Sequence, residues 1–149
     1  MTQKERLYLQ CETFIDNRLK TLQNAINEIQ KALLFETKST AGDKHETGRA
    51  MLQLEREKLG QQLAEIQKTK ELLSRVDTQK ESNAICLGSI VYTMRLNYFI
   101  SISAGELIDN NVKFYAISPN TPIAKLLLSK RKGDVIEFKG EKSVITNIV

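Results

Sequence analysis

From Leu19 onward the apolar residues step alternately by three and four, through Leu22, Ile26, Ile29 and Leu33, which is the seam of a coiled coil. A second run places Leu52, Leu59, Ile66 and Leu73 at intervals of seven, supplemented by Leu63 and Val76, with Met51 and Leu54 widening the stripe. Upstream, Leu7, Cys11 and Ile15 step by four. No proline interrupts residues 1–77, and charged and amide side chains fill the other faces. Between the two runs, residues 37–46 carry Thr, Ser, Gly and Asp, which signal a break. A short link between two helices makes them antiparallel neighbours. The spacing therefore predicts an antiparallel coiled-coil hairpin over 1–77 with its tip at about 37–46. Each arm has roughly 30–35 residues, so the rod is on the order of 50 Å long. Rods of this kind reach towards something or pair with a second copy.

After Asp77 the pattern changes. Residues 78–83 read as a polar linker, followed by runs rich in β-branched and aromatic residues at Ile85–Thr93, Leu96–Ser103 and Val112–Ile117. Asp109-Asn110-Asn111 marks a turn, and Ser118-Pro119-Asn120-Thr121-Pro122 is a loop opening a short helix. Thr121 suits the N-cap and Pro122 the first helical position, where its missing N–H costs nothing. Gly133 is expected to end that helix. Val135–Lys139 and Ser143–Val149 then form a hairpin with a type II′ turn expected at Gly140-Glu141. The fold class is α+β, and residues 84–149 make a small antiparallel β domain with one short helix.

Composition narrows the chemistry. The two cysteines, Cys11 and Cys86, have no metal-ligand spacing and read as buried hydrophobes in a reducing compartment. The lone histidine, His45, lies far along the chain from Cys11, which argues against acyl transfer. No apolar run is long enough for a membrane span, and residues 1–10 do not resemble a signal peptide, so the expected location is the cytoplasm. Net charge is +4, with 13 basic and 12 acidic residues in 1–77 and 9 and 6 in 78–149. Lys130-Arg131-Lys132 is the densest basic run. It is ordinarily a solvated turn, and it also suits a phosphate or an acidic surface.

Two carboxylates, Asp43 and Glu46, stand at the expected tip. Asp43-x-x-Glu46 is a capping-box pattern, and spacing alone favours that reading. Apart from His45 between them, which reads as an exposed polar residue, they have no anchoring His or Cys and do not make an all-protein metal cage. Magnesium, however, often takes only one or two protein carboxylates, so the pair also suits a metal shared with another active site.

Two stretches resemble one family. Ala41-Gly42-Asp43-Lys44-His45-Glu46-Thr47 is similar to the tip motif of the bacterial Gre transcript-cleavage factors, and residues 117–138, ISPNTPIAKLLLSKRKGDVIEF, resemble their C-terminal signature. The order of parts agrees, a coiled-coil hairpin first and an FKBP-like domain second. The resemblance covers about residues 36–149. It implies an elongation factor, not itself an enzyme, that binds RNA polymerase as a monomer and puts its tip into the secondary channel. Asp43 and Glu46 would there share magnesium with the polymerase, contact the RNA 3′ end indirectly and stimulate hydrolysis of backtracked RNA. Asn120, Thr121, Pro122 and Ile123 would form the docking loop. Thr47 stands where the family usually has Asn, and Gly48-Arg49-Ala50-Met51 replaces its usual Ala-Glu-Tyr-His. A channel-binding regulator without cleavage activity is the alternative. A prolyl isomerase and a dimerising coiled coil are the other classes that the sequence leaves open.

Overall fold

The computed structural model describes the backbone of residues 1–38 and 43–149, and the side chains of residues 1–36 and 47–149. Two helices, α1 (Gln3–Lys38) and α2 (Asp43–Ser74), form the N-terminal hairpin. They are followed by β1 (Ile90–Thr93), β2 (Asn97–Ile100), β3 (Gly105–Asp109), β4 (Val112–Ile117), α3 (Pro122–Leu127), β5 (Val135–Phe138) and β6 (Glu141–Ile148). No described helix is long and apolar enough to cross a membrane. The chain divides into two compact units, one of Ile15–Thr69 and one combining Met1–Phe14 with Lys70–Val149.

Within Ile15–Thr69 the buried residues are those of the heptad seam. Ile15, Leu22 and Ile26 on α1 and Leu59 and Ile66 on α2 are all buried. Leu34, Phe35, Met51 and Leu54 remain exposed. Two helices can bury one stripe each between them, so apolar residues off that stripe stay in water.

The second unit is built on a six-stranded sheet of order β3-β4-β2-β1-β6-β5. An antiparallel sheet was expected, but this one is mixed. β2 and β4 pair in parallel, with Tyr98 opposite Tyr115 and Ile100 opposite Ile117. The cause is β3, whose two apolar residues, Leu107 and Ile108, are adjacent rather than alternating and give almost no strand pattern. It forms a hairpin with β4, and β4 returns between β3 and β2. Both tight hairpins turn on two residues of positive φ, Asn110-Asn111 (50° and 66°) and Lys139-Gly140 (52° and 80°). The second loop is therefore a type I′ turn one residue earlier than the expected Gly140-Glu141, with Phe138 paired to Glu141 across it.

Strand alternation gives the sheet two buried faces. One face holds Val91, Ile100, Ile136 and Ile145, closed by Leu127 of α3 and by Ile85. The other holds Ile90, Phe99, Leu107 and Phe114, all buried, with Tyr92 edge-on to Phe114 at a centroid distance of 5.7 Å. The first turns of α1 meet this second face. Gln3 accepts from the Tyr92 hydroxyl (2.9 Å), Arg6 grips Asp109 in a forked ion pair (2.6 and 3.2 Å), and the Cys11 thiol lies 3.5 Å from the Ser101 hydroxyl. Gln10 exchanges two hydrogen bonds with the Ile108 backbone, satisfying a strand edge that would otherwise be open. The i, i+4 step of Leu7 and Cys11, both fully buried, is the stripe of a helix lying on a sheet.

Candidate functional site

The first candidate site is the loop from Ser118 to Ile123. Thr121 caps α3 as its type predicts: with φ −76° and ψ 152°, its hydroxyl accepts from the Ala124 amide (3.3 Å) and donates to the Ser118 carbonyl (2.8 Å). Pro122 occupies the first turn of α3 and is exposed. Ser118 donates to the Asn120 side-chain oxygen in a short hydrogen bond, while the Ser118 amide donates to the Ser103 hydroxyl (3.2 Å). These bonds fix the loop from both sides. They present Asn120 and Pro122 outward, keep Thr121 half-buried, and leave Ile123 packed against the core cluster. The four residues singled out in the sequence thus form one turn, with two facing solvent and two spent on holding the turn.

The second candidate site, in the other compact unit, is the pair Asp43 and Glu46. α1 ends at Lys38 and α2 begins at Asp43, so the Gly-Asp stretch falls where one helix gives way to the next. The side chains of Asp43 and Glu46 lie outside the described residues, and with them both the capping-box and the metal readings. Among the described residues no group of three or more metal-ligating side chains comes together. A donor set of two carboxylates fits magnesium only where a second protein or a substrate supplies the remaining ligands.

Helix α3 ends sooner than Gly133. It stops at Leu127, the Leu128 amide bonds back to the Ala124 carbonyl, and Ser129 takes φ 71°. Gly133, at φ 93°, instead sits in a separate turn in which the Arg131 amide donates to Asp134 Oδ2 (2.7 Å) and the Gly133 amide to the Ile145 carbonyl (2.7 Å). The basic run of residues 130–132 therefore leaves the helix and enters this turn, which sequence patterning did not separate from α3.

The cysteines are reduced, Cys11 buried and Cys86 half-buried. Burial pushes the Cys11 thiol up to about 11, against a smaller opposing effect of the Ser101 hydrogen bond. A thiol in that state is a poor nucleophile.

No protein-family model and no curated protein matches the chain. Among solved structures it is similar to the crystal structure of GreA factor homolog 1 (Gfh1) of Thermus thermophilus, with 21% identity, a TM-score of 0.36, and coverage of 91% of this chain and 92% of that one. A structure of the transcription factor Gfh1 is similar at 21% identity and a TM-score of 0.35, covering 90% of both chains.

Proposed function

We propose that this chain is a Gre-like transcription factor that docks on RNA polymerase through the Asn120–Ile123 turn and places its hairpin tip in the secondary channel. The observation that carries this reading is positional. The stretch resembling the family's tip motif stands at the passage from α1 to α2, and the stretch resembling its C-terminal signature contains an ordered, exposed turn.

In this reading Asp43 and Glu46 would help hold a magnesium ion shared with the polymerase, which would supply charge stabilisation at the scissile phosphate. The carboxylates orient the attacking water, and the polymerase hydrolyses the backtracked RNA. The factor is then a stimulator of the polymerase's own hydrolysis, working as a monomer. The test is a polymerase stalled in a backtracked complex with magnesium and 3′-labelled RNA. Short labelled fragments are expected with the wild type and not with Asp43→Ala or Glu46→Ala.

A second reading has its own observation. Thr47-Gly48-Arg49-Ala50-Met51 lacks the family's Asn and the carboxylate and aromatic that usually follow it, which favours a channel-binding regulator without cleavage activity. Binding to the polymerase without fragments, unaffected by Asp43→Ala, selects this reading and leaves Asp43 and Glu46 as a helix cap.

A further inference from the structure

The Lys130-Arg131-Lys132 run has no part in the proposed function, yet its setting is specific. Arg131 and Lys132, together with Asn83, Asn147 and Ile148, line a cleft of about 280 Å³. Three hydrogen-bonded segments hold these residues in place. Arg131 bridges Ala84, the Ile85 amide donates to the Lys130 carbonyl (2.9 Å), and the Ser129 amide donates to the Ile85 carbonyl (2.8 Å). The 131–134 turn is tied to β6 through Gly133 and Asp134, and Asn147 and Ile148 are paired to β1. The backbone under the cleft is thus fixed from every side.

The side chains above it are uncommitted. Among the described residues, the guanidinium of Arg131, the ammonium of Lys132 and the carboxamides of Asn83 and Asn147 have no ion pair and no hydrogen-bond partner. The one carboxylate of the turn, Asp134, turns an oxygen to the Arg131 backbone amide instead. Four residues with side-chain donors, two of them cationic, therefore line one small cleft. A guanidinium fork with a lysine point charge is the chemistry that recognises phosphate oxygens. The cleft is smaller than the roughly 300–1,000 Å³ of sites for drug-sized ligands. No aromatic side chain lines it to stack a base.

We infer that this cleft binds a compact polyphosphate, a pyrophosphate group free or carried on a small molecule. The site is independent of the polymerase reading, and either one stands if the other fails.

Isothermal titration of the full chain with inorganic pyrophosphate tests it. Saturable one-to-one binding is expected, with Kd on the order of 0.1–1 mM and weakening as salt screens the charges. Arg131→Gln/Lys132→Gln should weaken it at least about tenfold. Asn147→Asp, which sets a carboxylate against the anion, should do the same while leaving both cations in place. Lys58→Gln on α2 should leave it unchanged. All these positions are exposed, so an unchanged melting temperature accompanies each variant. The inference is overturned if binding does not saturate below about 10 mM, if Lys58→Gln weakens it equally, or if citrate binds as tightly as pyrophosphate.

Discussion

Thr121 separates two roles that one short turn can play. Its hydroxyl is spent twice, accepting from the Ala124 amide and donating to the Ser118 carbonyl, so it stabilises the turn and has no proton left to offer a partner. Thr121→Ala removes both bonds. Losing an N-cap costs about 1 kcal/mol, within a range of about 0.5–2, and for a chain of this length each kcal/mol lowers the melting temperature by about 2–4 °C. Thr121→Ser keeps the hydroxyl and should melt within about 1 °C of the wild type. Asn120 is exposed and makes only an exposed bond to Ser118, so Asn120→Ala should also leave the melting temperature nearly unchanged. Docking is expected to respond differently. If Asn120 is an anchor on the polymerase, its loss should weaken binding by about 1–2 kcal/mol, or roughly 5–30-fold. Thr121→Ser should bind as the wild type does. Paired thermal melts and polymerase-binding titrations on the three variants read both quantities. The assignment fails if Thr121→Ser weakens binding as much as Asn120→Ala at an unchanged melting temperature, because the threonine methyl would then be the contact and the cap incidental.

Three further outcomes follow from the geometry. Leu22→Ala in the hairpin seam should destabilise by about 2 kcal/mol or more, read by urea melts, whereas truncating the exposed Leu54 should change stability by less than about 0.5 kcal/mol. The Arg6 hydrogen bond holds the Asp109 carboxyl below the ordinary aspartate value, so the stability this pair contributes is complete above that value and lost as pH falls through the lowered one. Melting temperature should therefore drop more steeply below about pH 4 in the wild type than in Asp109→Asn, and parallel curves would refute the linkage. A thiol reagent at pH 8 should label Cys86 first, with Cys11, buried and pushed up to about 11, reacting only on opening of the α1–sheet contact. Equal labelling rates would contradict that burial.

Elements governed by local rules were legible in the sequence. The heptad steps of Leu22, Ile26, Leu59 and Ile66 gave the seam, and Thr121-Pro122 gave the start of α3 to the residue. Asn110-Asn111 gave a turn because asparagine tolerates positive φ. The same rule misplaced the second hairpin turn, since a lysine there adopts the left-handed conformation that the glycine after it was expected to begin. β3 was lost for a different reason. Its register is set by β4 and by the Gln10 side chain almost a hundred residues away, and no pattern within Gly105–Asp109 encodes either. Of the candidate site, residue types pointed to the turn, but the division between Asn120 and Pro122 outside and Thr121 and Ile123 inside depended on Ser103 and the distant core cluster.

Helix α1 shows most clearly why a repeating pattern has to be read by its phase as well as its presence. Leu7, Cys11 and Ile15 step by four, and from Leu19 the steps alternate between three and four. A step of four drifts around the helix and keeps a broad stripe in contact with a flat sheet, whereas alternating steps hold a narrow seam against one partner helix. The step of four runs from Leu7 to Leu19 and so spans the division between Phe14 and Ile15, where the helix passes from one compact unit to the other, and the alternation begins just beyond it. Around Leu7 and Cys11 stand Gln3, Lys4, Arg6 and Gln10, a polar set that looks like a solvent face. Yet each of the four finds a partner far along the chain: Tyr92, the Lys80 carbonyl, Asp109 and the Ile108 backbone. Lys4 is buried and its ammonium is depressed by that burial, a cost offset by the 2.6 Å bond to Lys80. Polar residues between the i, i+4 apolar positions at the start of this helix are therefore spent on docking against the β domain rather than on exposure. Here they mark where the helix stops serving the coiled coil and starts serving the β domain.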